Sequence, residues 1–494
     1  MNTIKSFTSS RRYNFCKTLR KYCKTVVFKI MNLKFMTVII FLIIVPCAFG
    51  QNGILIIDSV MIAAHNEGKL NGNVLIAEKG QIVYNRSFGF ANETTKEKLN
   101  ENSVFGLASV SKQFTAMAIA ILKEQGKLNY DDKITKYLPE LTAYENISIR
   151  NLLNHTNGLQ DFEQLINSRE AKEYMSTRLV DNIVTNQDVV AFFSMYKPKL
   201  KFDPGTKSEY CDIGYVFLGS IIEKVSGLTY AEFIDNTIFK PLEMKSTFVL
   251  SRKTTPDKIN NYAWGYVFSE SIKKYLSADS LIAENSQQIM TNGPAGIYST
   301  VLDLLKWDRA LYTGQLVSSP GLKEIFEPAI LSDNTKTNYG FGWFIRQDPN
   351  YGKIVFHTGE DRGYISCIER NIDHDKTIII IENHNQGVFP VNIINRNLYN
   401  IPFPKEVKLA QQQVDALSGN YEIQKGFYLK IWSENGKIYG QATGQNVIPL
   451  FAENELLLFA KTVDLKLQFE KDKRGKTTCL YILQNGNETR AEKK

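Results

Sequence analysis

At 494 residues, with 43% apolar and 12% aromatic content, the chain is long enough for about two to four domains and too rich in core-forming side chains to be disordered. The formal charge of +8 is concentrated at one end: nine of the 59 Lys and Arg residues lie in the first fifty positions, with no Asp or Glu among them. The remainder carries 50 basic against 51 acidic side chains, which excludes the broad basic surface of a nucleic-acid binder.

The run "FMTVIIFLIIV" (35–45) is shorter than the roughly 20 apolar residues a membrane span needs. Lys34 before it, and Ala48 and Gly50 at the −3 and −1 positions before Gln51, predict a secretory signal over residues 1–50 with a long basic lead. Translation from Met31 and an uncleaved anchor are the other readings of this end, and Pro46 fits poorly with lipid attachment at Cys47. The expected location is periplasmic or secreted. Beyond the expected signal only Cys211, Cys367 and Cys479 of the six cysteines remain, an odd number at wide spacings, so neither a disulfide framework nor a metal knuckle follows.

"NVLIAEKGQIVYNRSFGFAN" (73–92) reads as two half-buried strands around a turn at Lys79-Gly80. The stretch "ASVSKQFTA" (108–116) then opens a helix whose Val110, Phe114, Met117 and Ile121 form one apolar stripe, with Gly126 as its stop. Residues 127 to 310 read as mainly helical, punctuated at "LPEL", "DPGTK" and "NGPAG". Strand patterns return in "GFGWFI", "KIVFHTG", "YISCIER" and "TIIIIENH", the last two joined by the turn "NIDHD". Strands at both ends with helices between predict one α/β domain over 51–403, in which the first and last segments share an antiparallel sheet. From Pro404 to the end, short alternating runs with Asn-Gly and Arg-Gly turns predict a small antiparallel β barrel or sandwich over 404–494.

Within "ASVSKQFTA", helical geometry puts Ser109 and Lys112 on one face and Ser111 on another. A serine at a helix start lies near unpaired N–H groups that favour an oxyanion, and a desolvated lysine can take its proton. The spacing alone says little, because Ser194/Lys197 and Ser271/Lys274 repeat it and serine is a common N-cap.

Its company is more specific. "LLNHTNGLQDF" (152–162), "PGTKSEYCDIGYVFLGSIIEKVSG" (204–227), "GPAGIYSTVLDLLKWDRAL" (293–311), "YGFGWFI" (339–345) and "FHTGEDRGY" (356–364) follow it in order. Together these stretches resemble the serine beta-lactamase and penicillin-binding-protein superfamily, in particular its class C beta-lactamase and D-alanyl-D-alanine carboxypeptidase branch, over roughly residues 60 to 385. The resemblance implies a beta-lactamase/transpeptidase-like fold, with Ser109 as the acylated nucleophile, Lys112 as its proton-handling partner and Tyr210 as the second-motif tyrosine. That role asks for a Tyr210 pKa below the usual value near 10, which Lys112 would promote. His357, Thr358 and Gly359 match the third motif, and the backbone N–H groups of Ser109 and Glu360 would form the oxyanion hole. No metal or cofactor is implied, and the partner is a small-molecule or peptide substrate; oligomeric state is left open.

Two positions depart from that pattern. Asp212 stands where an asparagine is usual, and a carboxylate there would keep Lys112 charged and leave Tyr210 as the base. His357 replaces a lysine, removing positive charge from the region that would receive a substrate carboxylate, unless Arg362 restores it. The expected activity is therefore hydrolysis of an ester or D-amino-acid-type amide through an acyl-enzyme. The alternatives are a true beta-lactamase or D-Ala-D-Ala carboxypeptidase, or a penicillin-binding sensor with an impaired site. His155, in "NHTNG", reads as a structural histidine rather than part of a Ser-His-Asp triad, and Trp264, Trp307, Trp343 and Trp432 read as core residues. The C-terminal strands resemble the lipocalin-like β domain attached to some of these hydrolases, which could hold a ligand, cover the site or stabilise the chain.

Overall fold

The computed structural model describes residues 53–179, 183–250, 256–278, 288–361, 363–387, 389–445, 447–484 and 487–494. The expected signal and Arg362 lie outside them. The chain forms two compact units, Met1–Val60 and Met61–Lys494; of the first, residues 53–60 are described and are helical.

The second unit is built on a six-stranded antiparallel sheet of β1 (Gly72–Glu78), β2 (Gln81–Phe88), β3 (Phe344–Asp348), β4 (Gly352–Asp361), β5 (Tyr364–Asn371) and β6 (Lys376–Glu382), in the order β3-β4-β5-β6-β1-β2. Val74 pairs with Ile380, so the first strand does close the sheet against the last, as the pattern of strands at both ends predicts. Lys79 and Gly80 both adopt positive φ, 49° and 75°, the conformation a two-residue hairpin turn with matching twist requires. One expectation changes. β1 is buried along six of its seven residues rather than on one face, because it is an inner strand of the sheet and a helix covers it. Its one polar residue there, Asn73, is accommodated by donating to Asn100 O at 2.7 Å.

The expected helix is α1 (Lys112–Glu124), entered through a 3₁₀ turn at Ala108–Ser111 and ended by Gly126 at φ 69°. It is buried on every side from Lys112 to Leu122, a central helix rather than one with a single apolar stripe. The helical insert includes α2 (Phe162–Leu165), α3 (Arg169–Arg178), α4 (Asn186–Tyr196) and α5 (Asp212–Ser226), and α5 packs on α1. Further on, α6 (Val301–Ala310) packs over β1 and β6. Within the region read as helical, short strands also occur: Ile297–Ser299 pairs with both Phe105–Gly106 and Phe248–Val249, and Tyr266–Ser269 pairs with Lys274–Ser277. Strands of two to four residues are too short to display a period.

The chain continues through α7 (Val391–Leu398) and α8 (Gln411–Leu417) into a closed eight-stranded barrel that begins at Gly419 and ends at Lys493. Its interior is packed with side chains, among them Tyr421, Leu429, Leu467 and Phe469, joined by Leu417 from α8. Asn392 of α7 ties it to the body by donating to the carbonyls of Ala460, Lys461 and Val463 at 3.5, 3.3 and 3.2 Å. Among the described residues no helix is long and apolar enough to cross a membrane.

Candidate active site

The 3₁₀ turn begins with Ala108 at φ 46°, a left-handed conformation that costs an alanine energy and that the sequence does not announce. Ser109 follows it, and Lys112 one turn later places Nζ 2.8 Å from Ser109 Oγ. Ser111 does face elsewhere: its hydroxyl is buried and accepts the Ile297 N–H at 3.2 Å.

Lys112 is fully buried. Besides Ser109, its ammonium meets Asp212 Oδ1 at 2.6 Å and Pro294 O at 3.1 Å, and lies 4.8 Å from the centre of the Tyr210 ring. Burial alone would lower its pKa, but Tyr210 and Asp212 outweigh burial, so Lys112 is held above its ordinary value and charged.

Tyr210 is 37% exposed along its ring, while its hydroxyl turns inward to Lys112 and Ser109. Its pKa is raised, not lowered as expected. Burial of the hydroxyl is the largest influence, and the neighbouring Asp212 charge adds to it against the pull of Lys112.

Asp212 is the first residue of α5, where a carboxylate also meets the positive end of the helix dipole. Its position is fixed by a residue the sequence reading passed over. Asp161, which caps α2, accepts the backbone N–H groups of Asp212 at 2.8 Å and Ile213 at 3.4 Å. Burial, followed by the Asp212 charge, raises the Asp161 pKa.

His357 is buried in β4, with Nδ1 2.6 Å from Thr358 O and Nε2 2.9 Å from the Tyr339 hydroxyl. A carbonyl can only accept, so Nδ1 carries the hydrogen and Nε2 accepts from Tyr339. Burial and the Lys112 charge depress His357 to about 3, so it is neutral and supplies no cation in place of the lysine. Thr358 is exposed on the strand. Gly359 is pressed against the 3₁₀ turn: a Cβ there would stand 2.4 Å from Leu107 O, 2.6 Å from Ser366 Oγ and 2.9 Å from Ser109 N. β3 pairs with β4 only as far as Phe344 with Phe356, so residues 357–361, Glu360 included, run on past the end of β3.

The structure therefore brings Ser109, Lys112, Tyr210, Asp212, His357 and Gly359 to one place, with Thr358 and Glu360 on the same strand. It adds residues whose role no motif marked. Phe344 lies parallel to Tyr210 at 6.3 Å and Tyr339 meets His155 at 4.5 Å, both from the segment "YGFGWFI". His155 is structural: its Nδ1 accepts the Cys211 N–H at 3.2 Å, and burial depresses its pKa well below normal. Cys211, Cys367 and Cys479 are buried free thiols. Among the described residues no three His, Cys, Asp or Glu side chains converge as metal ligands.

A helix-start serine bonded to a buried lysine, beside the strand end of an antiparallel sheet flanked by helices, defines the serine-hydrolase class of α/β protein. The chain belongs to the Beta-lactamase family, whose profile matches residues 60–400. It is similar to Penicillin-binding protein 4* of Bacillus subtilis (strain 168), 33% identical over 439 residues that cover 86% of this chain and 95% of that protein. In fold it is similar to the octameric penicillin-binding protein homologue from Pyrococcus abyssi, with TM-score 0.61, 23% identity and coverage of 88% and 99%. It also resembles the D-amino acid amidase from Ochrobactrum anthropi SV3, with TM-score 0.55, 24% identity and coverage of 71% and 99%.

Proposed function

We propose that this member of the family is an exported serine hydrolase that acylates Ser109 and cleaves an ester or a D-amino-acid-type amide or peptide bond. The observation that carries the reading is the buried Lys112 ammonium bonded at once to Ser109 Oγ and to Asp212. Once the Lys112–Tyr210 pair has lost a proton, it takes the Ser109 hydroxyl proton as Oγ attacks the substrate carbonyl. The backbone N–H groups of Ser109 and Glu360 receive the oxyanion. The pair then protonates the departing group, and water releases the acyl chain by the same route in reverse.

The charge balance selects the substrate. Lys112 is neutralised by Asp212 and His357 carries no charge, so a substrate carboxylate finds no free cation among the described residues at this centre. This favours esters and amides over penicillins and D-Ala-D-Ala termini. Labelling by a fluorophosphonate, lost in Ser109→Ala and Lys112→Ala, tests the assignment; a protein left unlabelled by both a fluorophosphonate and a fluorescent penicillin refutes it. Rapid nitrocefin turnover, abolished in Ser109→Ala, would overturn the substrate preference.

One observation favours a second reading. Lys112 and Tyr210 both hold their protons more firmly than usual, as expected of a sensor that binds penicillin without turning it over. Slow or absent turnover across esters and D-peptides, with turnover gained in Asp212→Asn, would select it.

A further inference from the structure

Residues 292–297 are bonded to three side chains at the entry to α1. Ser111 accepts the Ile297 N–H at 3.2 Å, Lys112 Nζ donates to Pro294 O at 3.1 Å, and Thr115 Oγ1 donates to Gly293 O at 2.7 Å. Asn186, the first residue of α4, pins the other end, accepting the Asn292 N–H at 2.7 Å and donating to Asn292 O at 2.9 Å. Thr115 is fully buried. Because a carbonyl only accepts, its one hydrogen goes to Gly293 O, and its oxygen takes the hydroxyl hydrogen of the buried Tyr230, 2.7 Å away.

Covalent geometry carries this hold to the reacting centre. Gly293 C=O and Pro294 N belong to one planar peptide, and the proline ring locks the next φ at about −65°. A single torsion, the Pro294 ψ, is then left between the carbonyl that Thr115 holds and the carbonyl that accepts Lys112. Pro294 O is one of three acceptors around the Lys112 ammonium, with Ser109 Oγ at 2.8 Å and Asp212 Oδ1 at 2.6 Å, which matches its three hydrogens. With Asp212 and Pro294 taking two of them, the third direction points at Ser109 Oγ. A charged Lys112 aims an N–H there, and a neutral one its lone pair.

We propose that Thr115 is a positioning residue for proton transfer: by holding Gly293 O it fixes Pro294 O, and through it the direction in which Lys112 faces Ser109. This rests on Ser109 being the nucleophile. The titratable groups that face Lys112 are Asp212 and Tyr215 of α5, Tyr210 just before it, His155 and His357. All are unchanged in a Thr115 variant, so an altered pH dependence reports the carbonyl.

The test is the second-order rate of Ser109 labelling in the full chain by a fluorophosphonate, followed across pH. The Ser109 Oγ–P bond forms, the P–F bond breaks with loss of fluoride, and the serine proton passes through the Lys112–Tyr210 pair to solvent. Thr115→Val strands Gly293 O and should lower the limiting rate at high pH about tenfold to a hundredfold, the scale of a small misplacement of a reacting group. The rise of rate with pH should also move to lower pH, because a charged Lys112 has lost an acceptor. Thr115→Ser, which keeps the hydroxyl, should restore both. Pro294→Ala, which frees the locked φ and leaves Thr115 intact, should lower the limiting rate in the same direction. Tyr230→Phe removes the bond to Thr115 but not the one to Gly293 O, so it should lower the melting temperature without moving the rise. A rise left in place by Thr115→Val, one moved equally by Tyr230→Phe, no rescue by Thr115→Ser, or a limiting rate unchanged in Pro294→Ala would overturn the positioning role and leave the hydrolase reading intact. A wild-type Ser109 that no fluorophosphonate labels would overturn both.

Discussion

The Lys112 ammonium stands 2.6 Å from Asp212 Oδ1 and donates to Ser109 Oγ at 2.8 Å, so one buried cation couples the expected nucleophile to a carboxylate at the start of α5. Asp212 is one of the influences that raise the Lys112 pKa, and it also raises that of Tyr210. Both groups must share one deprotonation before serine can give up its proton, and a raised pKa places that event at higher pH. The kcat/KM profile should therefore climb towards alkaline pH. In Asp212→Asn the climb should move to lower pH, raising activity near neutrality. An unmoved profile would show that Asp212 does not set the protonation of the pair.

Gly359 supplies a steric test independent of charge. A methyl group at this position would press on Leu107 O, Ser366 Oγ and Ser109 N together. Gly359→Ala should displace β4 from the turn that carries Ser109 and lower kcat about 10²-fold or more, the scale of losing an oxyanion donor. Circular dichroism should remain that of the wild type. Retained kcat would remove the 357–361 strand from the oxyanion site.

Much of this centre is legible in the sequence because it depends on short-range geometry and on ordered motifs. The i, i+3 spacing fixes Ser109 against Lys112, the Lys79-Gly80 turn fixes the hairpin of β1 and β2, and the apolar run "TIIIIE" fixes β6. Asp161, Tyr339 and Phe344 were not legible as site residues. Each acts by proximity across the fold, through an N–H bonded from another helix or a ring laid on Tyr210, and no local period records that. The direction of the Tyr210 shift was also hidden, because it turns on how deeply one hydroxyl is buried beside how strongly Lys112 pulls on it.

His357 makes the fold sensitive to acid. It is neutral with a pKa of about 3, whereas in the unfolded chain it takes up a proton near 6.5. Below 6.5 the unfolded chain binds more protons than the folded one, so the contribution is complete above that pH and is lost as pH falls towards 3. By pH 4.5 the loss from this residue should reach about 3 kcal/mol, with His155 acting in the same direction. Urea unfolding at pH 7.5 and 4.5 should show a smaller difference in His357→Gln than in the wild type. An equal difference in both would mean that other groups govern acid stability.

Arg346, on the strand that supports Tyr210, makes two ion pairs of unequal burial, one within the central sheet and one to the barrel. Arg346, on β3 two residues beyond Phe344, meets Glu369 at 3.4 Å and Asp464 of the barrel at 3.9 Å. Glu369 is buried and also accepts Asn395 Nδ2 at 2.5 Å, whereas Asp464 is 45% exposed. Water replaces an exposed carboxylate at little loss, so Asp464→Ala should cost under about 1 kcal/mol. Removing Glu369 takes a carboxylate from a buried guanidinium and a buried amide, and Glu369→Ala should cost about 3 kcal/mol or more. Equal costs for the two substitutions in urea unfolding would mean that burial is not what sets the strength of these ion pairs.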